Sequence, residues 1–454
     1  MRIPSRRTLL RLACGVTAAA SLWAASAEAQ ERSAVTVIEN VRIFDGTHPS
    51  LSAPSSVLIR GNIIERISTS PIPTDRRADT QIIAGGGRVL MPGLSDAHWH
   101  ATMVRTTPAQ LLSNGIGYSM LLAGAEATAT LMRGFTSVRD MGGPAFDLKR
   151  AIDEEVLPGP RIFPSGAVIT ISGGHGDFRE LSDLPRTTGG TLSRVEELGG
   201  SAIADSPDEV RKRAREQLMQ GASQIKLTAG GGVASPFSPL EVVTFTEAEL
   251  RAAVEAATDW GTYVATHAYT SGAIRRSIAA GVKAIEHGHL MDEATARLIA
   301  DKGIWLSTQP FLDTSLAKVL PLAQQQQMMQ VVSGTDTIYG YVKKYKIKAA
   351  FGTDIIFSRV LAERQGQGIA DLKRWFTPAE ALAMATSANG ELLALSGLRN
   401  PYPGKLGVVE QGALADLLVV DGNPLENLDL VADPANKFLV IMKDGVVYKN
   451  TLPR

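Results

Sequence analysis

The side chains best suited to chemistry in this 454-residue chain are histidines and acids at the ends of short apolar segments. The chain has only seven histidines, and four of them share this placement with one aspartate: His98, His100, His267, His287 and Asp354. Imidazole nitrogens and a carboxylate form a donor set suited to zinc or a related divalent ion. One such residue alone would more often be structural, but the joint pattern indicates a metal centre that activates water.

Lys226 is a cation within the otherwise apolar segment 224–228. Burying an unpaired ammonium is costly, so either its pKa falls or the group finds a chemical partner. A neutral lysine could react with carbon dioxide to give a carbamate, whose two oxygens can bridge two metal ions. The alternative is an ion pair with a carboxylate such as Asp140, and the residues alone leave both readings open.

The segments around these residues alternate between β-rich runs and amphipathic helical runs, which is the pattern of βα units. Eight strands are predicted, at residues 94–100, 136–140, 161–169, 224–228, 263–267, 284–287, 305–308 and 348–354. Eight parallel strands favour an α/β fold, a closed (β/α)8 barrel of the TIM type, whose catalytic groups converge at the rim after the strands. Residues two apart on a strand face the same side, so His98 and His100 would both point into the barrel.

The two ends of the chain have a different pattern, in which short β-type runs are separated by turn residues. Such runs fill most of 35–89 and return after residue 415. We expect both ends to complete one small β-sandwich, with an N-terminal part at 30–92 and a C-terminal part at 404–454, around a barrel at 93–403. Within the barrel, residues 172–201 are rich in Gly, Ser and Thr and are predicted to form a lid or substrate loop.

The first 29 residues have the pattern of an export signal. Two adjacent arginines at 6–7 precede an apolar run of small residues, and a small-residue cleavage site ends at Ala29. Paired arginines are typical of the twin-arginine export route, and an ordinary signal with a basic start is the alternative. Cleavage after Ala29 would remove Cys14, the only cysteine, and leave a periplasmic or secreted protein without a thiol.

Composition and charge indicate a globular protein that acts on a small molecule. Hydrophobic residues make up 44% of the chain and charged residues 20%, which is ordinary for a soluble fold. Because 46 basic residues balance 46 acidic ones, no overall field favours nucleic acid or an anionic membrane as a partner. Whether the chain forms a homo-oligomer stays open.

Taken in order, the segments with these residues resemble the amidohydrolase superfamily. The resemblance extends over nearly the whole chain after the export signal, and it is carried by residues 91–100 (MPGLSDAHWH), Lys226, His267, residues 285–288 (IEHG) and residues 352–354 (GTD). It implies the barrel, the split sandwich and two divalent ions, expected to be zinc. It further implies that carboxylated Lys226 bridges the two ions.

The same resemblance assigns a role to each ligand. His98 and His100 would bind the more buried ion, and His267 and His287 the more exposed one. Asp354 would be both a ligand and the general base, taking a proton from the attacking water and passing it to the leaving amine.

Three other functions are weighed against amide hydrolysis. Single-metal deaminases of the superfamily usually carry a proton-shuttling glutamate and no bridging lysine, whereas Ala268-Tyr269-Thr270 follows His267 here. A lactonase or phosphotriesterase, or a general amidase, would use the same centre, so only substrate profiling separates it. A non-enzymatic binding protein usually loses ligands, but all six ligand positions remain.

Within the superfamily the chain looks most like a group of dipeptidases and N-acyl amino acid hydrolases. That group includes Xaa-Pro and Xaa-Arg/Lys dipeptidases and ochratoxin-hydrolysing enzymes, and residues 172–177 (SGGHGD) and 267–269 (HAY) carry the match. It implies that His175 and Tyr269 grip the α-carboxylate of the substrate, a dipeptide or N-acyl amino acid. The alternative is that His175 is only a loop histidine. His289 either lines the pocket or lies on the surface, and His48 is expected to be exposed.

Overall fold

The computed structural model describes residues 34–74, 80–187, 190–235, 237–315, 317 and 320–452. The predicted export signal at 1–29 lies outside the described residues. Within these ranges, no helix combines the length and apolar character that spanning a membrane requires.

Strands occur along the whole described chain. In chain order they are β1 (Val35–Ile43), β2 (Ser55–Arg60), β3 (Ile63–Ser68), β4 (Thr80–Ala84), β5 (Val89–Pro92), β6 (Leu94–Trp99), β7 (Phe135–Asp140), β8 (Arg161–Pro164), β9 (Val168–Thr170), β10 (Ser201–Ile203), β11 (Ile225–Thr228), β12 (Val264–Thr270), β13 (Ala284–Leu290), β14 (Trp305–Thr308), β15 (Ala349–Phe351), β16 (Leu417–Val420), β17 (Phe438–Lys443) and β18 (Val446–Asn450).

Helices alternate with the strands between β6 and β16. They are α1 (Pro108–Ser113), α2 (Ile116–Met132), α3 (Phe146–Asp153), α4 (Arg194–Glu197), α5 (Pro207–Gln220), α6 (Glu247–Asp259), α7 (Ser271–Ala280), α8 (Glu293–Asp301), α9 (Leu322–Ser333), α10 (Thr335–Tyr345), α11 (Arg359–Glu363), α12 (Gln367–Asp371), α13 (Pro378–Met384), α14 (Ser387–Ala394) and, beyond β16, α15 (Pro434–Lys437). Local sequence explains their boundaries. In α5, Ser206 caps the first turn, Pro207 follows it, and Gly221 ends the helix with φ 109°.

The middle of the chain forms two parallel sheets. The larger has the order β10-β9-β11-β12-β13-β14-β15, and the smaller has the order β6-β7-β8. The main hydrophobic core lies between these strands and the helices, with Ile225, Leu227, Ile285 and Leu306 fully buried. Parallel strands that alternate with helices fit the predicted TIM-like barrel.

The predicted third strand, 161–169, is two strands in the structure. β8 pairs with β7, whereas β9 pairs with β10 and β11. Gly166 between them adopts φ 74°, a left-handed conformation that breaks a strand, and a Cβ there would lie 2.3 Å from Gln217 Oε1. Side chains and backbone connect the two sheets at this point, since Gln224 Nε2 donates to Phe163 O at 2.9 Å and to Asp140 O at 3.2 Å.

The two ends of the chain share one mixed sheet, as the sequence predicts. Its order is β18-β17-β16-β5-β1-β2-β3, with β4 also paired to β1. β5 carries the chain directly into β6 and pairs antiparallel with β16. A buried ion pair joins this sheet to β8, because Arg161 Nε and Asp416 Oδ2 lie 3.1 Å apart. A two-layered sandwich stays a prediction.

The predicted lid at 172–201 has more structure than its composition indicates. α4 lies within it, and β10 begins at its last residue and adds to the edge of the larger sheet. Ser193 caps α4. The Glu196 carboxylate accepts hydrogen bonds from the backbone and the hydroxyl of Ser193, and it forms an ion pair with Arg186. These contacts are local, since they join residues at most ten positions apart, and they stabilise the first turn of α4. The short helix therefore forms although the sequence of this segment has no helical periodicity.

Candidate active site

The ends of the parallel strands bring all six predicted ligands into one cluster. His98 closes β6 with His100 just after it, Lys226 lies in β11, His267 and His287 lie in β12 and β13, and Asp354 follows β15. The five nitrogen-bearing side chains are at least 90% buried, and the Asp354 side chain is 19% exposed. The cluster is therefore closed on most sides and open to solvent mainly at the aspartate.

His98, His100 and Asp354 form the tightest part of the cluster. Asp354 Oδ1 lies 3.4 Å from His98 Nε2 and 3.3 Å from His100 Nε2, and one ligand atom from each residue lies within 4.8 Å of the others. These are nitrogen and oxygen donors of the kind that a divalent ion such as zinc prefers. The residues present therefore fit a metal ion at this point.

The remaining ligands continue from that group. His98 Nε2 is 3.5 Å from Lys226 Nζ, and the His98 and His287 rings are 4.9 Å apart. The His287 ring lies 4.4 Å from the His267 ring. Lys226, His287 and His267 thus extend the cluster beyond the first three residues.

Each histidine of the cluster has one ring nitrogen held by an acceptor. The pairs are His98 Nδ1 with Glu286 Oε2 at 2.8 Å, His100 Nδ1 with Gly142 O at 3.0 Å, His267 Nε2 with Gly231 O at 2.8 Å, and His287 Nδ1 with Gln309 Oε1 at 2.7 Å. In a neutral ring the nitrogen that faces an acceptor carries the hydrogen, so the other nitrogen keeps a lone pair. All four rings therefore have a nitrogen available to a metal ion.

Burial also sets the charge of the ligands. It holds the pKa of His98 and of His267 well below the usual range and lowers the pKa of His287 to about 3. These rings are neutral at pH 7, as coordination requires. Burial alone would raise the pKa of Asp354, but its contact with His100 and the fields of His287, His100 and Lys226 lower it overall, so Asp354 is a carboxylate.

Lys226 is not paired with Asp140. Within the described residues no carboxylate oxygen lies within 4.0 Å of Lys226 Nζ, and Asp140 instead accepts hydrogen bonds from the backbone of Ala101 at 2.7 Å and Gly142 at 3.2 Å. Burial lowers the pKa of Lys226 to about 8, although Glu286 and Asp354 oppose the shift. The lysine is thus easier to deprotonate than an exposed one, which a carbamate requires.

The residues predicted to bind substrate lie beside the histidines. The His175 ring is 4.3 Å from the His267 ring, and the Tyr269 ring is 4.9 Å from both His267 and His287. His289 is 2% exposed and stacks on Phe311, so the alternative of a surface histidine is wrong. His48 is 75% exposed in its side chain, as predicted.

A run of three glycines, which the sequence patterns above do not include, shapes this side of the site. Gly230, Gly231 and Gly232 follow β11, and Gly231 O accepts from His267. A Cβ on Gly232 would lie 2.3 Å from His175 Nδ1, so only glycine leaves room for that ring. Ser235 Oγ then lies 3.0 Å from His175 Nδ1 and fixes the ring. Three successive glycines directly after a strand were a signal for close approach of a side chain.

Two of the cluster residues have strained backbones. His287 adopts φ 76° and Asp354 adopts φ 53°, the left-handed region that non-glycine residues seldom occupy. Such a conformation costs of order 1–3 kcal/mol and is found most often at functional sites. Both residues are therefore held in place by their surroundings.

The chain is similar to known proteins in both sequence and fold. A profile described as the amidohydrolase family matches residues 89–449. An ochratoxinase from Aspergillus niger is 30% identical over 390 residues, which cover 80% of this chain and 76% of that protein. The solved structure of an amidohydrolase has a TM-score of 0.85 at 35% identity, and that of a prolidase complexed with N-methylphosphonate-L-proline has a TM-score of 0.84 at 31% identity. Each covers 92% of this chain and 100% of the solved chain.

The close fit around Gly232 gives the first prediction. In Gly232→Ala the new methyl group must displace the His175 ring and break its contact with Ser235, at a cost of about 1–3 kcal/mol in the free energy of unfolding. Urea unfolding and a crystal structure of the variant measure both effects. Gly340→Ala is the control, because nothing lies within 4 Å of that position in α10 and alanine favours a helix. Unchanged stability with His175 still bonded to Ser235 would contradict the prediction.

Proposed function

The chain belongs to the amidohydrolase family and is a hydrolase acting on C–N bonds, and from this premise we propose that it cleaves dipeptides or N-acyl amino acids. The bond broken is the amide bond to a residue with a free C-terminal carboxylate. The observation that carries the proposal is the placement of His175 and Tyr269 against His267, one of the six clustered ligands. Similarity to an ochratoxinase and a prolidase supports activity on amides or dipeptides.

Two divalent ions, most simply zinc, would be held by the cluster. His98 and His100 would hold the more buried ion, His267 and His287 the more exposed one, and carboxylated Lys226 would contact both. Such ions polarise a carbonyl and lower the pKa of water. The carbamate forms when the neutral amine of Lys226 adds to carbon dioxide and releases one proton. The buried setting and lowered pKa of Lys226 support this step.

Asp354 is placed to move the proton. It is a carboxylate at pH 7, and its side chain is the most exposed of the ligands. A base at this position can reach a water molecule that attacks from the solvent side. Asp354 would accept the proton of that water and pass it to the leaving amine.

His175 and Tyr269 would hold the substrate's carboxylate. Ser235 Oγ accepts from Gly176 N at 2.8 Å, so its hydroxyl hydrogen is free to be donated to His175 Nδ1. The His175 Nε2–H is then a donor, and burial lowers the pKa of the ring to about 4, so that it is neutral. Together with the Tyr269 hydroxyl it offers two hydrogen bonds to an anion, which a carboxylate entering a closed site needs.

The same proposal extends to the fold and the location. Asp354 N donates to His98 O at 2.8 Å, and Asn389 Nδ2 donates to both Ser95 O and Phe351 O, which supports closure of the two parallel sheets into one barrel. The paired arginines at 6–7 support export to the periplasm or beyond.

The second prediction tests the function through the substrate's carboxylate. His175→Ala and Tyr269→Phe should lower kcat/KM for free-acid substrates. The loss of transition-state stabilisation should be about 1.5–3 kcal/mol, the range for a hydrogen bond to a charged group. Amidated substrates should be poor for the wild type and change little in the variants. A library of dipeptides and N-acyl amino acids, each as acid and amide, is assayed by mass spectrometry of the products.

The control for His175→Ala is His48→Ala, which removes an exposed histidine that lies between β1 and β2, outside the cluster. If the wild type cleaves amides as fast as acids, the carboxylate reading fails and a general amidase becomes the better description. Hydrolysis of lactones or phosphotriesters alone would replace the proposal, and release of ammonia without a second fragment would indicate a deaminase.

The third prediction concerns the carbamate. Lys226→Ala should lose activity by more than the roughly 10–100-fold that losing an outer partner of a ligand costs, because the bridging group itself is gone. Added acetate or propionate should restore part of the rate, since a short carboxylate can occupy the space of the carbamate. Lys302→Ala, at an exposed lysine, is the control. Wild-type turnover in Lys226→Ala would show that no bridge forms there.

The fourth prediction separates the two roles of Asp354. Asp354→Asn keeps the shape and one donor oxygen but removes the base, so kcat should fall by roughly 10²–10⁴. Metal content, measured by atomic emission on the same samples, should fall much less. A loss of metal in proportion to the loss of rate would leave Asp354 as a ligand only.

A further inference from the structure

A chain of buried polar groups runs beneath His98 and takes no part in the reaction described above. His98 Nδ1 lies 2.8 Å from Glu286 Oε2, and Glu286 Oε1 lies 2.7 Å from Arg139 Nη2. Arg139 and Glu286 are 0% exposed and His98 is 1% exposed. No substrate or solvent can reach these groups, so their function must act through His98.

Arg139 donates to three groups, one of which is the glutamate. Its Nε donates to Ala97 O at 2.7 Å and its Nη1 to the Tyr263 hydroxyl at 3.1 Å, which leaves Nη2 for Glu286. Burial alone would lower the pKa of Arg139, but the charge of Glu286 holds it above its usual value. A buried ion pair of this kind rarely adds net stability over apolar residues of the same size. Its presence calls for a reason other than packing.

The acceptor facing His98 differs from those of the other three histidines. His100 and His267 face backbone carbonyls and His287 faces the Gln309 amide, which are neutral groups. Among these four rings, only His98 has a carboxylate as the acceptor on the side away from Asp354. A charged acceptor forms the stronger hydrogen bond and raises the basicity of the ring.

We propose that Glu286, held by Arg139, is a positioning residue that fixes His98 in the tautomer whose Nε2 lone pair faces the metal site. A carboxylate can only accept, so Nδ1 must carry the hydrogen. Nε2 is then bare where it faces Asp354 Oδ1 at 3.4 Å. The inference rests on the metal centre of the proposed function.

Glu286→Gln separates this role from simple packing. Glutamine has the same volume and can still accept from Arg139 through its amide oxygen, so the packing contacts remain. Its amide nitrogen then faces His98 Nδ1 and donates to it, which moves the ring hydrogen to Nε2. That tautomer cannot coordinate through Nε2.

The experiment measures zinc affinity of the metal-depleted protein by competition with a chromophoric chelator. Glu286→Gln should weaken the tighter of the zinc sites by about 10–100-fold, the usual effect of losing the partner of a metal-ligating histidine. Asp416→Asn is the matched control, because it neutralises another buried carboxylate paired with an arginine, Arg161, but contacts no ligand. Its zinc affinity should stay within about threefold of wild type, although both variants lose stability.

A second measurement reports the tautomer of His98 directly. The ¹⁵N shifts of imidazole nitrogens distinguish Nδ1–H from Nε2–H, and the His98 signals are assigned by their loss in His98→Gln. Metal-depleted wild-type protein should show His98 with Nδ1–H and a bare Nε2, and Glu286→Gln should show the reverse. A bare Nδ1 in the wild type, or wild-type zinc affinity in folded Glu286→Gln, would overturn the inference. If the wild type itself binds no zinc, the proposed metal centre fails as well, so the two failures are distinguishable.

Discussion

The site depends on burying its imidazoles so closely that His98, His267 and His287 are all uncharged at pH 7. The His287 ring lies 4.9 Å from the His98 ring and 4.4 Å from the His267 ring. A positive charge on one of these rings would repel Lys226 and the neighbouring rings in a poorly solvated space. Neutrality makes each ring a potential ligand, but a neutral imidazole has two tautomers and only one of them is useful. The protein must therefore supply one acceptor to each ring in a defined direction.

Those acceptors explain much of the architecture around the cluster. Gly142 follows β7, Gly231 follows β11 and Gln309 follows β14, so each acceptor comes from a loop after a strand other than the one that carries its histidine. Such loops must run close to the rings. A Cβ on Gly142 would lie 2.4 Å from Val168 Cγ2 as well as 3.3 Å from the His100 ring, and one on Gly232 would lie 2.3 Å from His175 Nδ1, so both positions require glycine.

The clustering of these residues could be predicted from sequence because side chains at the ends of parallel strands meet at one rim. A histidine that ends an apolar strand points toward the rim, and few histidines occur elsewhere in the chain, so His98, His267 and His287 stood out. Their acceptors could not be found in the same way, because a backbone carbonyl such as Gly231 O has no sequence signature. Glu286 is the one acceptor that the sequence could have indicated. A carboxylate beside His287 in an apolar strand would be buried and would therefore need a polar partner.

Local conformation limited the rest of the prediction. The segment 161–169 is apolar enough for one strand, but the left-handed Gly166 divides it into two. In the segment 172–201, the composition does not indicate α4, because a capping side chain and an ion pair stabilise that helix without a helical periodicity in the sequence. Where two chain segments meet, the sequence does not record the contact.

The strained backbones of His287 and Asp354 follow from the same demand for direction. A strand in its ordinary conformation would send successive side chains to alternate faces, and a left-handed residue within a strand or just beyond it changes that direction. For Asp354 the strain is offset locally, because its N–H donates to His98 O and the preceding Thr353 is bound to Asp96 through both backbone and side chain. Asp96 also accepts from His98 N, so one buried carboxylate fixes the segments that carry His98 and Asp354. The positions of His98 and Asp354 are thus coupled through Asp96, and neither can move without disturbing the other.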